Sequence, residues 1–363
     1  MKDKRVLSIV GIVGVPASYG GFETMVENLL DYLPKYSIEA TVFCSSHMKS
    51  KVLGRRYKSA LLRYLPFKAN GFQSILYDIV SLLISATRGG TVLLLGVSGS
   101  IILPFIRVFF PHVRIITNID GIEWRRGKWN LFAKAYLFFS ESIAVFFSNK
   151  VVADNIGVCE YIRETYGRGS AIIAYGGDHV LSVEPHEDLV NCYQFSSSKY
   201  FLNVSRVEPE NNTELIIRSF CLSSNVLVMV GNWDTEYGRS LKLKYGETAN
   251  IHLVDATYDL RYLNFLRRYC FAYIHGHSAG GTNPSLVEAM FFGKAILAYD
   301  VNFNRFTTKG KAKYFSTSAE LGDIIASLTA EESLRSGAIL SAIAMTEYRW
   351  SFVASEYAGL VLF

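Results

Sequence analysis

The cysteines of this 363-residue chain form no pattern that would support a covalent or metal framework. The five are scattered and contain no C-x-x-C pair, so neither a disulfide network nor a zinc knuckle is indicated. This usage favours a reducing cytosol. The chain also lacks a tandem repeat of fixed short period and any low-complexity tract, so no repeat architecture is indicated.

Uninterrupted apolar runs of membrane-spanning length are also lacking. The uncharged stretch GGTVLLLGVSGSIILPFI (89–106) approaches the ~20 residues that a spanning helix needs. Gly96, Gly99, Ser100 and Pro104 divide it, which predicts a strand, a loop and the start of a helix. The N-terminal run RVLSIVGIV has no small-residue cleavage pattern after it, so it predicts a first buried strand.

The formal charge of +5 is distributed unevenly. Residues 1–180 contain 21 Lys/Arg and 13 Asp/Glu, giving +8, whereas residues 181–363 contain 16 and 19, giving −3. No nucleic-acid-binding motif accompanies the basic half. LFAKAYLFFSESIAVFF (131–147) is instead unusually aromatic for a helix, and three cations precede it. This pattern leaves two interpretations open: a helix at an anionic membrane surface, and a buried core helix.

Short β-type runs alternate with helix-type segments along the whole chain, which predicts βαβ units around parallel sheets. An apolar share of 50% suits two domains of ~150–200 residues, which usually leave a cleft between them. The weakly patterned stretch 180–198 predicts the linker. The last segment, from about residue 344, has helical apolar spacing and predicts a terminal helix packed on a domain.

Two motifs in the first half are candidates for ligand binding. GIVGVPASYGGFETMVENLL (11–30) carries Gly20 and Gly21 before a helix, where backbone amides can approach an anion, although the spacing is not G-x-G-x-x-G. A plain tight turn explains it equally well. NIDGIEWRRGKWN (118–130) begins after a strand, so Asp120 lies where open α/β sheets favour chemistry. A helix N-cap or turn role for Asp120 is the alternative.

Two further motifs lie in the second half. In NVSRVEPENNTELIIRSF (203–220), Arg206 follows a strand and a helix begins soon after, a combination that suits phosphate. A surface ion pair is the alternative for Arg206. In HGHSAGGTNPSLVEAM (275–290), a glycine loop offers backbone amides, and Glu288 in the next helix can accept bonds from vicinal hydroxyls. A zinc site at the two histidines lacks a third ligand, so a packed or hydrogen-bonded pair is favoured.

Together the four motifs resemble glycosyltransferase family 4, the retaining GT-B enzymes, and within it the bacterial polysaccharide rhamnosyltransferases. The resemblance runs from about residue 5 to the final helix. It implies an α/β GT-B fold: two Rossmann-like domains whose parallel sheets face an interdomain cleft, with a C-terminal crossing helix. The implied division is 1–180 for the acceptor, 198–345 for the nucleotide-sugar, and a terminal helix 346–363 packing back toward the N-terminal domain.

The same resemblance implies the roles of individual residues. Glu288 matches the ribose-binding glutamate, Arg206 the diphosphate-binding arginine, and Asp120 a position where many members keep His or Asp; these three are the predicted catalytic residues. The predicted donor-binding residues are Gly20, Gly21, Arg206, Asn211, Gly280, Gly281, Thr282, Asn283 and Glu288. The predicted acceptor-side residues are Tyr19, Glu23, Glu123, Trp124 and Arg125.

Two positions depart from the wider family. The first glutamate of its E-x7-E motif would fall at Gly280, and the lysine usually paired with the phosphate arginine would fall at Asn211. Backbone amides around Gly281, Thr282 and Asn283 are a reasonable substitute, because they can stabilise a leaving diphosphate without a metal. The sequence therefore predicts catalysis with no metal and no cofactor.

The implied reaction moves a sugar, L-rhamnose from dTDP-rhamnose or a sugar from a UDP donor, to a lipid-linked saccharide of O-antigen, capsule or exopolysaccharide. The expected partners are the nucleotide-sugar, that acceptor and an anionic membrane surface, with no nucleic acid. The expected location is cytoplasmic, peripheral on the inner or plasma membrane. Alternatives are a glucosyl-, galactosyl- or mannosyltransferase of the same family, a GT-B epimerase or phosphorylase, and an inactive partner subunit.

Overall fold

The computed structural model describes residues 5–17, 20–48, 54–119, 121–125, 129–185 and 199–363. The chain divides into two compact units. The first comprises Met1–Tyr175 together with Trp350–Phe363, and the second comprises Gly176–Arg349. Much of the predicted linker lies outside the described residues.

The first unit contains an eight-stranded sheet. Its strands are β1 (Arg5–Val10), β2 (Ile38–Ser45), β3 (Arg56–Tyr57), β4 (Ala60–Leu65), β5 (Thr91–Leu95), β6 (Arg114–Ile119), β7 (Lys150–Ala153) and β8 (Ala171–Ile172). Their order is β3-β4-β2-β1-β5-β6-β7-β8. All neighbours pair parallel except β3 and β4, which are antiparallel. The order reverses between β1 and β5, which makes that edge a topological switch point.

Helices connect these strands across both faces of the sheet. They are α1 (Gly21–Tyr32), α2 (Gln73–Arg88), α3 (Leu103–Phe109), α4 (Leu131–Phe147) and α5 (Ile156–Tyr166). Strand β1 contributes Leu7 and Ile9 to one apolar core and Val10 to the other. Because both faces are covered, β1 and β5 have nearly continuous apolar sequences and not an alternating pattern.

The second unit contains a six-stranded sheet whose neighbours all pair parallel. Its strands are β9 (Tyr200–Val204), β10 (Val226–Gly231), β11 (Ile251–Asp255), β12 (Ala272–His275), β13 (Ala295–Tyr299) and β14 (Lys313–Phe315). The order β11-β10-β9-β12-β13-β14 reverses between β9 and β12. In an open α/β sheet, ligands bind outside the carboxyl ends of the strands at such a reversal.

Seven helices complete the described part of the second unit. They are α6 (Thr213–Phe220), α7 (Glu236–Tyr245), α8 (Leu260–Tyr269), α9 (Pro284–Met290), α10 (Asn302–Thr307), α11 (Ser318–Ser327) and α12 (Ala330–Glu347). On one face of the sheet, α6 and α11 bury Ile216, Phe220, Leu321 and Ile325 in a single core. Their apolar residues recur at helical spacing, which is why these segments form amphipathic helices.

The last helix, α13 (Trp350–Leu362), belongs to the first unit, although it follows the second in sequence. A short break at Tyr348 and Arg349 separates it from α12. Trp350 is buried and packs edge-on against Tyr175, with 4.9 Å between ring centroids. Tyr357 accepts a hydrogen bond from the Asn118 amide on β6. The terminal helix is thus a structural part of the first core.

The uncharged stretch 89–106 forms β5, a loop, a 3₁₀ turn and the beginning of α3, as its glycines and proline predict. Among the described residues, no helix has both the length and the apolar character needed to cross a bilayer.

Candidate functional site

Two loops meet at the carboxyl edge of the second sheet, one following β9 and the other following β12. The Asn212 side chain donates to the carbonyl of Gly276 at 2.8 Å. The amide and hydroxyl of Ser278 both donate to the carbonyl of Glu210, at 2.9 and 2.8 Å. A Cβ on Gly276 would lie 2.2 Å from the Asn211 carbonyl oxygen, so this close approach requires glycine. The structure therefore joins the two predicted donor-binding motifs at the topological switch point.

Arg206 lies two residues beyond β9 and is an exposed cation of this edge. Its side chain is 57% exposed, and Nη1 is 3.6 Å from the Glu208 carboxylate. Asn211, predicted to contact the donor, is 2% exposed, and its amide donates to the Arg206 carbonyl at 2.8 Å. Asn211 thus fixes the loop that presents Arg206. An exposed guanidinium on an ordered loop suits a phosphate ligand.

Gly280 has a φ of +121°, a backbone conformation that side chains rarely adopt. A Cβ there would also lie 3.3 Å from Oδ1 of Asn283. This loop geometry explains the departure from E-x7-E, because a glutamate at position 280 would be strained. Gly281 and Thr282 are buried beside it. No backbone carbonyl among the described residues accepts from the amides of Gly280 or Gly281, so these two donors suit an anion.

Glu288 lies in α9 and is held by a cation that the sequence motifs did not reveal. Nη2 of Arg267, in α8, donates to Glu288 Oε2, and Nε2 of His179 is 3.5 Å from Oε1. The Glu288 side chain is 13% exposed and Arg267 is 2% exposed. Within the part of the chain that the structure describes, Nε and Nη1 of Arg267 have no hydrogen-bond partner. Glu288 is therefore one half of a nearly buried ion pair.

Helix α8 also holds the segment that carries His179. The Asn264 amide donates to the carbonyls of Val180 at 2.6 Å and Val183 at 2.8 Å. Asn264 and Arg267 are three residues apart, so they lie on one face of the helix. This face therefore positions both neighbours of the Glu288 carboxylate. The sequence did not predict a role for Arg267, because two adjacent arginines at the end of a helix are typical of a solvated surface.

The two histidines of the β12 motif form a stacked pair. The ring centroids of His275 and His277 are 4.3 Å apart, and the ring planes differ by 6°. Burial, together with nearby His277, lowers the pKa of His275 well below its usual range, so its imidazole is neutral. No group of three or more His, Cys, Asp or Glu side chains that could hold a metal ion occurs in the described ranges. In the structure, His275 and His277 are therefore a packed pair of rings.

In the first unit, glutamates of α1 hold the glycine loop that follows β1. Glu23, predicted on the acceptor side, accepts from the Val13 amide at 2.8 Å and is 5% exposed. Glu27 accepts from the Ala17 amide at 2.6 Å. Gly20 is the N-cap of α1, and Gly21 is its first residue. Glu23 therefore holds the loop after β1 through the Val13 amide. Tyr19, also predicted on the acceptor side, lies outside the described residues.

The segment after β6 is anchored by aromatic contacts. Trp124 Nε1 donates to the Tyr161 hydroxyl at 3.0 Å, and Trp124 packs edge-on against Phe138 at 5.3 Å. The exposed Arg125 guanidinium stacks on Trp124, 5.1 Å from the ring centroid. Glu123 accepts from the indole of Trp129 at 3.1 Å. Trp124 and Arg125 are therefore in contact and Glu123 is held separately by Trp129, whereas Asp120 lies outside the described residues.

Beneath this segment, Glu141 of α4 is 1% exposed and accepts hydrogen bonds from the hydroxyls of Tyr161 and Tyr166, each at 2.6 Å. Burial raises the pKa of Glu141, and the two tyrosine hydrogen bonds oppose that shift. The carboxylate thus ties α4 to α5.

The remainder of α4 exposes large apolar side chains. Phe132 is 88% exposed, Phe139 60% and Phe146 53%, so the interpretation of α4 as a buried core helix is wrong. α3 packs beside it and exposes Phe105, Val108 and Phe109. We call these six residues, with Leu131, the aromatic face. Exposed apolar surface of this extent marks an interaction surface.

Comparisons with known proteins identify the fold. A family model described as a domain of unknown function, DUF1972, matches residues 4–178. A search of the curated proteins finds no significant match. Sucrose-phosphate synthase from Thermosynechococcus elongatus is structurally similar over 98% of both chains, with a TM-score of 0.81 and 13% identity. HepE from Anabaena, in complex with UDP and glucose, is similar over 99% of both chains, with a TM-score of 0.77 and 14% identity.

A further structural neighbour is a UDP-forming α,α-trehalose-phosphate synthase from Burkholderia xenovorans in complex with glucose-6-phosphate. It has a TM-score of 0.74 and 11% identity, over 99% of this chain and 100% of the other. These neighbours are glycosyltransferases of the GT-B fold, and the chain has that α/β fold with parallel sheets, as predicted. At such identities the likeness carries the fold alone.

Proposed function

We propose that this protein is a retaining glycosyltransferase that moves a sugar from a nucleoside-diphosphate donor to a lipid-linked saccharide, with L-rhamnose from dTDP-rhamnose as the first candidate. The biological setting that we propose is the synthesis of a bacterial surface polysaccharide. The observation that carries the proposal is the pair of joined loops after β9 and β12, which bring Arg206 and the glycine loop to one switch point, with Glu288 in the helix that follows. HepE, one of the structural neighbours, has been solved with UDP-glucose.

In the proposed reaction, the bond between the anomeric carbon and the diphosphate oxygen breaks, the acceptor hydroxyl oxygen forms the new glycosidic bond, and its proton passes to the departing diphosphate. The departing diphosphate carries negative charge, which Arg206 and the amides of Gly280 and Gly281 would neutralise. Preorganised donors to developing charge lower the barrier because they need no reorganisation during reaction. This arrangement supports metal-independent catalysis.

The ribose of the donor is assigned to Glu288. A carboxylate accepts hydrogen bonds only, which suits sugar hydroxyls. Oε2 is engaged by Arg267, so Oε1 is the oxygen that we assign to the ribose. Which base and which sugar the donor carries must be decided by experiment, because sugar epimers differ only in the position of single hydroxyl groups.

The decisive experiment is a transfer assay with dTDP-rhamnose, UDP-glucose, UDP-galactose and GDP-mannose, each with a lipid-pyrophosphate saccharide acceptor. We expect acceptor-dependent release of the nucleoside diphosphate, strongest with dTDP-rhamnose and unchanged by excess EDTA. Donor turnover without acceptor would instead indicate an epimerase. Complete loss in EDTA that Mg²⁺ reverses would contradict metal independence, and inactivity with all donors would favour a non-catalytic subunit.

The proposed acceptor site requires proximity to a membrane, and the aromatic face supports this. Lys134 lies on α4, Arg107 lies on α3, and Arg168 donates to the Phe146 carbonyl at the end of α4. Helices α3 and α4 together contain one acidic residue, Glu141, and its side chain is buried. Two helices that expose aromatic side chains, carry cations and have no exposed carboxylate of their own suit an anionic bilayer surface.

We expect the purified protein to co-sediment with anionic phosphatidylglycerol vesicles at low salt and less with neutral phosphatidylcholine vesicles. Phe132→Ser/Phe139→Ser should lower the bound fraction several-fold, because both side chains would insert into the interface. Leu243→Ser is the matched control, since Leu243 is 90% exposed on α7 of the second unit. Binding unaffected by the paired phenylalanine changes, or concentration-dependent dimerisation that those changes abolish, would contradict a membrane role for this face.

A further inference from the structure

Arg267 is an unusual residue for its position, because a 2%-exposed guanidinium has three nitrogens to satisfy. Among the described residues, Nη2 donates to Glu288 Oε2, and Nε and Nη1 have no hydrogen-bond partner. It follows that the guanidinium is oriented toward one carboxylate oxygen. A buried ion pair contributes little net stability compared with apolar residues of similar volume, so stability alone gives a weak reason for this charge.

The geometry gives the two oxygens of Glu288 different surroundings. Oε2 is held by a buried cation, whereas Oε1 lies 3.5 Å from Nε2 of His179, whose side chain is 12% exposed. Asn264 holds the backbone that follows this histidine, at the carbonyls of Val180 and Val183. The carboxylate therefore cannot rotate without breaking its contact to Arg267. A fixed acceptor pays less conformational entropy on binding a ligand than a mobile one.

We propose that Arg267 is a positioning residue for donor binding: it holds Glu288 so that Oε1 faces the ribose hydroxyls, next to His179. The inference rests on the proposed function, in which Glu288 binds the ribose. It adds that the affinity for those hydroxyls depends on a residue that does not touch the nucleotide. Arg267 would then contribute to binding through Glu288, and only for ligands that carry ribose hydroxyls.

The test measures the Kd of UDP and dTDP by titration calorimetry, and then that of the 2′,3′-dideoxy form of whichever nucleotide wild type binds. The proteins are wild type, Arg267→Met, Arg267→Lys, Glu288→Gln and Arg267→Met/Glu288→Gln. We expect Arg267→Met and Glu288→Gln each to weaken nucleotide binding roughly tenfold, the scale of one charge-assisted hydrogen bond. The double variant should bind no more weakly than Glu288→Gln, and all proteins should bind the dideoxy analogue within about twofold of one another.

Arg267→Lys keeps the buried cation and so protects the measurement if Arg267→Met folds poorly. Its Kd should lie between those of wild type and Glu288→Gln, because a lysine supplies charge without the planar fork of arginine. Arg267 variants that bind like wild type, or that lose as much affinity for the dideoxy analogue, would overturn the inference. Failure of wild type to bind UDP or dTDP would instead overturn the proposed function itself.

Discussion

Arg206→Ala is expected to lower kcat/KM for sugar transfer by about 10²–10³-fold, the cost of removing one preorganised donor to developing charge. The physical reason is that Arg206 is the exposed cation on the β9 loop, which packs against the glycine loop. Because the side chain is 57% exposed, its removal should leave the fold intact. The measurement is initial-rate kinetics with the best donor, alongside the thermal unfolding midpoint.

Arg239→Ala is the matched control. Arg239 is also an exposed arginine of the second unit, 64% exposed on α7 and paired with Asp234 at 2.8 Å. Its loss should leave kcat/KM within about twofold of wild type, because exposed ion pairs contribute little. Near-normal activity of Arg206→Ala, or an equal loss in both variants, would remove Arg206 from the diphosphate role.

Glu288→Ala is expected to lower the free energy of unfolding by about 3–5 kcal/mol, in addition to any effect on the donor. The change would leave Arg267 with its charge buried and without the carboxylate that accepts from it. Chemical denaturation without nucleotide measures this cost. Loss of activity in Glu288→Ala is therefore not by itself evidence for a ribose contact.

Two further variants separate the contributions. Arg267→Met/Glu288→Leu should recover most of the lost stability, because replacing both members of a buried pair by apolar residues is often neutral. It should not recover nucleotide binding. Asp255→Ala removes the exposed ion pair with Lys242, at 3.1 Å, and should cost under about 1 kcal/mol. If Glu288→Ala also lowered the free energy of unfolding by under about 1 kcal/mol, the buried charge of Arg267 would not depend on the Glu288 carboxylate.

Gly280 and Asn211, the two positions that differ from the pattern of the resembled family, have structural roles in this chain. Gly280 supplies a positive φ that a glutamate would adopt only with strain, and Asn211 is buried against the Arg206 carbonyl. Both residues shape the loops that join after β9 and β12. We therefore expect an ordered donor site in which Arg206 and the loop amides carry the charge that glycosyltransferase family 4, which the motifs resemble, supplies with side chains.

The sequence by itself determined the parallel α/β fold, because apolar periodicity and glycine or proline breaks are local signals. It also placed Arg206 just after a strand and Glu288 in the helix that follows the glycine loop. The tertiary structure decided which side chains are paired. Arg267 meets Glu288 from a separate helix, and His179 approaches from a segment more than 100 residues earlier. The aromatic face likewise became visible only in three dimensions, since exposure depends on what packs against a helix and not on its own period.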